Sequence, residues 1–236
     1  MMKEALDSCS LGELINSMTN ISSATKISHR LVHLTVDEQY LKGSVQFASE
    51  WVKEQLIGKY LQFRSREVQD FLIGSGGEPA IADFRGKLWE RRAHEALYGG
   101  GTFDCRDLQD AKQFQCELQP CSNKVGLWDI EDVRTQLASG IYGFGKNQSF
   151  PAVDAVVQPD KLFQITVSDD HRIDVRGLAS AVQAMQASQS QVQLYFAVPP
   201  DKFTAFTKQT LKRVRGDVEA ASVARSVKQY VLKIEL

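Results

Sequence analysis

Residues 150–168, FPAVDAVVQPDKLFQITVS, constrain this chain more than any other stretch. They read as two short strands, 152–157 and 162–167, joined by the turn Gln158-Pro159-Asp160-Lys161. Proline presets φ in the middle of such a turn, and aspartate bonds its own backbone there. Both runs are rich in β-branched and aromatic residues, as strands of a covered sheet are. Each also carries one polar acceptor inside an apolar run, Asp154 in the first and Gln164 in the second. A carboxylate placed among apolar neighbours is costly unless it is hydrogen-bonded, paired or metal-bound. An acid on one strand and an acid or amide near the start of the next is an arrangement that holds hard divalent cations. The bland alternative is an Asp154 that pairs with an arginine and a Gln164 that serves a strand edge.

The rest of the chain supplies the elements around that hairpin. Leu11, Leu14, Ile15 and Met18 recur at helical spacing behind Ser10, an N-cap residue. Val52, Leu56 and Tyr60 form a second helical stripe, and a short strand is expected over 31–36. Residues 74–79, GSGGEP, mark a boundary between a mainly helical region, 1–75, and a second domain, 76–236. A helix over 81–98 ends at Gly99-Gly100-Gly101. Strands follow over 102–106 and 113–119, then a helix over 129–139 with Asp129 and Asp132 in its first turn. After the central hairpin come a helix over 177–187, a strand over 192–198, a helix starting at 201 and a strand over 229–236. This order predicts an α/β (α+β) fold with a mixed central sheet flanked by helices.

Composition narrows the function classes. The net charge of −1 supplies no global field toward nucleic acid or membrane, so any such contact needs a local patch. The four cysteines show neither a CxxC pair nor a dense framework and read as free thiols. No apolar run reaches the ~18 residues of a membrane span, and the opening MMKEALDSCSLGEL lacks the apolar core of a secretory signal. Residues 140–147, GIYGFGKN, have glycine and lysine spacing close to a P-loop. Asn147 stands where Ser or Thr would hold Mg²⁺, and the stretch follows a helix, so no ATP site is expected. His29 and His33 lack a third ligand. The most basic region contains Lys208, Lys212, Arg213, Arg215, Arg225 and Lys228, and reads either as a phosphate-tracking segment or as a solvated helix.

Several of these stretches together resemble the C-terminal module of Crinkler-type effector proteins of oomycetes and fungi, which are similar to trypanosome retrotransposon hot spot proteins. The matching pieces are 28–52, 84–97, 150–173, 194–209 and 229–234, in the family's order along nearly the whole chain. The resemblance implies that 1–75 is the tail of an upstream NTPase module and that 76–236 is a restriction-endonuclease-like, PD-(D/E)XK nuclease-like domain. It places Glu90 as the helix acid, Asp154 as the motif aspartate and Gln164 as the (E/Q) position. Mg²⁺ or Mn²⁺ would be held by Asp154 and Gln164, assisted by Glu90 and the Ile165 carbonyl. Thr166 stands where an active nuclease of this fold has lysine, with Lys161 and Lys208 as candidates for a migrated lysine. The resemblance further implies a secreted effector acting on DNA in a host nucleus, and the basic C-terminal segment then offers Lys212, Arg213 and Arg215 to the nucleic acid. The other reading is a catalytically inactive module of the same fold that binds DNA or host nuclear proteins.

Overall fold

The computed structural model describes residues 2–20, 23, 27, 29–36, 38, 43–62, 66–73, 79–146, 150, 153–212 and 218–235. The chain divides into two compact units, 1–92 with 236, and 93–235. The division falls inside one helix.

The first unit contains α1 (Met2–Ser8), α2 (Leu11–Thr19), the strands β1 (Val32–Val36) and β2 (Gly43–Phe47), α3 (Glu50–Leu61), α4 (Arg66–Ile73) and the start of α5 (Pro79–Gly99). Ser10 caps α2 as expected, and its pairing with Glu13 closes a capping box. Leu11, Leu14, Met18, Val52, Leu56, Ile57, Tyr60 and Phe84 are buried. Lys59 Nζ takes up the carbonyls of Leu6, Asp7 and Cys9 at 2.6–2.9 Å, which satisfies the open C-terminal end of α1. The strand expected over 31–36 is present. Its antiparallel partner β2 was not expected and pairs Leu34 with Val45.

The second unit is built on an eight-stranded mixed sheet. In chain order its elements are β3 (Gly101–Asp107), β4 (Gln113–Leu118), β5 (Asn123–Leu127), α6 (Ile130–Gln136), β6 (Ile141–Gly145), β7 (Ala155–Val157), β8 (Lys161–Ile165), β9 (Ile173–Asp174), α7 (Val175–Ala184), β10 (Gln193–Val198), α8 (Pro200–Phe203), β11 (Leu211–Lys212), α9 (Val218–Ser226) and β12 (Lys228–Lys233). The spatial order is β4-β3-β12-β10-β8-β7-β6-β5, with β9 and β11 forming a separate pair. The central strands β8, β10 and β12 run parallel, and β7 is antiparallel to both of its neighbours. Parallel neighbours need crossover connections, and α7 and α9 lie in the two that link these strands. One face of the sheet, carrying Val156, Leu162, Leu194, Phe196, Val198 and Val231, forms a single core with Val133 of α6, Leu137 just after it, Leu178 and Val182 of α7 and Val223 of α9. The other face carries an aromatic row, Phe163, Tyr195 and Tyr230, stacked at 5.6 and 5.1 Å. His94 of α5 meets that face, with Nδ1 2.7 Å from Tyr142 Oη.

Several sequence expectations change. The first hairpin strand begins at Ala155, not at 152, so Asp154 lies just before the strand. The turn that follows contains a cis Gln158–Pro159 bond, and the Gln158 amide is spent on Ala184 O and Gln186 N. The stretch resembling a P-loop is the strand β6. Its Gly143 is required by packing, because a Cβ there would stand 2.7 Å from Leu127 Cδ1 and 3.0 Å from Leu137 Cδ1. Asn147 lies outside the described residues. The helix expected from 201 to 208 is the single turn α8, whose end is taken over by a side chain from β3. The basic C-terminal stretch is not one helix: Lys212 is in β11, Arg225 in α9, and Arg213 and Arg215 lie outside the described residues.

Candidate functional site

β7 and β8 are held together at the end of the sheet where β6, β8, β10 and β12 finish. Beyond β7 the backbone stays in register: Asp154 N–H donates to Phe163 O at 2.8 Å, and Asp154 O accepts from Gly145 N at 3.1 Å. Asp154 is thus fixed on both sides, between β6 and β8, although it lies outside the strand proper. Its Oδ2 accepts from Gln164 Nε2 at 2.5 Å and from the backbone N–H of Ile165 at 2.6 Å. Gln164 is 7% exposed among the apolar Leu162, Phe163 and Ile165 of its strand, so its amide needs a partner inside the protein. The carboxylate supplies it.

Thr166 lies directly after β8. Strand alternation puts its side chain on the Gln164 side, and its N–H extends the pairing with β10 by donating to Ala197 O at 3.1 Å. Its hydroxyl accepts from Ser168 N at 3.0 Å and so closes the turn that leaves the sheet. That turn delivers Asp169 to Lys202 of α8, Oδ2 to Nζ 2.9 Å. The buried Gln209 supports the same loop: its Oε1 accepts from His171 N at 2.5 Å, and its Nε2 donates to Asp169 O at 3.1 Å.

The structure therefore brings together Asp154, Gln164, the Ile165 backbone and Thr166. Glu90 is exposed on α5 and belongs to the first unit. Lys161 sits at the opposite end of β8, paired with Asp160 at 2.8 Å, and alternation turns it to the other face of the sheet, so it does not stand in for the missing lysine. Lys208 is exposed in the connection between α8 and β11, and Lys212 is exposed in β11. Sequence reasoning missed Lys202. Its signal was a lysine in the first turn after an apolar strand that ends in Pro199-Pro200.

The donor set bears on a metal directly. Among the described residues no group of three or more His, Cys, Asp or Glu side chains is placed to hold an ion. A closed cage of protein ligands is therefore not what these residues offer. Mg²⁺ characteristically takes only one or two carboxylates and completes its shell with phosphate oxygens and water. Asp154, with Gln164 beside it, matches that open kind of site. Turning the Gln164 amide end for end would exchange its N–H for a second hard oxygen, because the two ends of the group have the same shape.

Comparison with known proteins finds relatives along most of the chain. Crinkler effector protein 15 of Phytophthora infestans is 27% identical over 226 residues, covering 91% of this chain and 36% of that protein. Crinkler effector protein 16 of the same organism is 26% identical over 226 residues, covering 91% of this chain and 35% of that protein. The chain thus spans about a third of the length of the curated relatives it matches. No family model matches the chain, and no solved structure matches it. The two matches support a Crinkler-like relationship over most of the chain.

Proposed function

We propose that this chain is a module of a Crinkler-like effector whose second unit has a PD-(D/E)XK nuclease-like fold and hydrolyses phosphodiester bonds of DNA with Mg²⁺ or Mn²⁺. The observation that carries the reading is the contact between Asp154 and Gln164, on adjoining strands at the sheet end where the parallel strands finish. Ligands of open α/β sheets bind at the carboxyl ends of strands. The names of both relatives support delivery into a host cell, and DNA as the substrate supports the nucleus as the place of action.

Asp154 and the Gln164 oxygen, with the Ile165 carbonyl, would hold the ion. When bound, it supplies a Lewis acid and an activated water. The chain itself orients the carboxylate through Ile165 N–H and seals its inner side with the β7–β8 pairing. Thr166 brings no positive charge, and its hydroxyl is already spent on Ser168. Lys202, held by Asp169 at the same end of the sheet, is the cation this reading assigns to the phosphate.

The test is plasmid nicking with Mg²⁺ or Mn²⁺. Wild type is expected to nick and Asp154→Asn to lose nicking at least a hundredfold, in line with removal of a group that stabilises the transition state electrostatically. Intact plasmid with wild type would overturn hydrolysis. One observation favours a second reading, a non-catalytic module that binds DNA or a host nuclear protein: the Asp154 carboxylate is engaged in structural bonds to Gln164 and Ile165. Under that reading, Asp154→Asn leaves binding to the partner unchanged.

A further inference from the structure

Two side chains outside the acid–amide pair lie along the same end of the sheet. Trp128 directly follows β5 and is 59% exposed. A large aromatic ring left in water is unusual on its own, yet this one is not on a loose loop. Its N–H donates to Asp132 Oδ2 at 2.7 Å, and Asp129 N–H reaches the same oxygen at 3.3 Å, so the capping box of α6 fixes its backbone. Lys146 follows β6 and is tied to β5 by its N–H on Leu127 O at 2.9 Å. Its stem runs over Gly126: a Cβ at that position would lie 2.2 Å from Lys146 Cε and 2.7 Å from its Cδ and Cγ. The lane that glycine leaves carries the ammonium to 5.2 Å from the Trp128 ring centroid. Gly126 of β5, Trp128 just after β5 and Lys146 just after β6 thus build a cation-backed aromatic surface.

The surface is connected to the candidate site by direct pairing. Leu127 pairs with Gly145, and Gly145 N–H donates to Asp154 O at 3.1 Å. Two strand spacings separate β5 from β7, roughly 10 Å. That is about three nucleotides along a stacked strand.

We propose that Trp128 and Lys146 form a stacking platform for a nucleobase, and that the ligand of this unit is single-stranded or locally unpaired DNA whose backbone runs on to Asp154. The choice of DNA rests on the hydrolytic reading above. Stacking on an exposed aromatic ring requires a base out of its duplex, which sets the substrate class, and a neighbouring lysine offsets the phosphate charge. A protein hot spot would instead sit inside a continuous apolar patch ringed by neutral contacts. Here the other exposed large apolar side chains described in the second unit are Phe114 and Val218. Phe114 lies on β4, at the opposite edge of the sheet from β5.

The experiment follows a fluorescein-labelled dT20 oligonucleotide by anisotropy in EDTA, where no hydrolysis proceeds. Trp128→Ala is expected to weaken binding about tenfold, the share a single base–aromatic stack supplies. Trp128→Phe retains most of the affinity. Gly126→Ala, which displaces Lys146 without removing its charge, weakens binding a few-fold, with far-ultraviolet circular dichroism and the thermal midpoint unchanged in all variants. Wild type that fails to bind dT20, or Trp128→Ala that binds as tightly as wild type, overturns the platform. So does loss of a host nuclear protein, and not of dT20, in Trp128→Ala. The two readings separate cleanly. Binding that depends on Trp128 without plasmid nicking removes hydrolysis and keeps the platform, and nicking with dT20 binding indifferent to Trp128 does the reverse.

Discussion

The carboxylate of Asp154 accepts the backbone N–H of Ile165 at 2.6 Å. Because the next N–H, that of Thr166, goes to Ala197 on the β10 side, the Ile165 N–H points toward β7, and the acceptor it finds is a side chain. One carboxylate therefore finishes the strand pairing and forms the candidate site. Asp154→Ala removes both functions and is expected to cost about 2 kcal/mol, the penalty for stranding a buried donor. Asp154→Asn keeps an oxygen for Ile165 and should cost less than about 1 kcal/mol. Urea unfolding of the two variants reads the difference, and equal losses would contradict the strand-end role.

Arg106 of β3 governs the end of α8. Its Nη2 donates to Phe203 O at 2.8 Å and Phe206 O at 2.7 Å, while its guanidinium lies 5.8 Å from the Phe203 ring. Lysine cannot reproduce the planar contact of the guanidinium with the ring. Arg106→Lys should destabilise the fold by about 2 kcal/mol and speed amide exchange over 203–206, the segment next to Lys202. Exchange indistinguishable from wild type there would show that the arginine does not hold the turn.

His171 gives the stability a pH dependence. Burial pushes its imidazole below the ordinary histidine range, with the charge of Asp170 opposing. The folded chain then takes up the proton less readily than the unfolded chain. The stability contributed by the neutral ring is present above the unfolded value of about 6.5 and is lost as pH falls through the lower folded value. The urea midpoint should drop between about pH 7.5 and about pH 5.5 by more in wild type than in His171→Gln. Identical drops would remove His171 as the cause.

What could be read in the sequence was whatever depends on local chemistry or on apolar runs. Asp129 and Asp132 announced the start of α6, and the runs that became β8, β10 and β12 are apolar because both of their faces are covered. Asp154 and Gln164 stood out as polar residues inside apolar runs, and the Gln164 amide donates to the Asp154 carboxylate where the hairpin brings them together. β5 and β6 were not. Their glycines, Gly126, Gly143 and Gly145, look like turn residues, whereas Gly126 and Gly143 answer to packing by Lys146, Leu127 and Leu137 from elsewhere in the chain. The length of α8 was illegible for the same reason, since the group that takes the Phe203 carbonyl at its end is Arg106, far away in sequence. Lys202 depends on β8 and β10 being neighbours, which no local pattern states.

The central claim is that Asp154 and Gln164 form an open divalent-cation site. Its most direct measurement is Mn²⁺ binding followed by electron paramagnetic resonance on wild type, Asp154→Asn and Gln164→Leu, with folding verified by circular dichroism. The account predicts a single Mn²⁺ per chain in wild type, lost in Asp154→Asn and weakened in Gln164→Leu. No bound Mn²⁺ in wild type, or binding unchanged in Asp154→Asn, would contradict it and leave Asp154 as a strand-end residue alone.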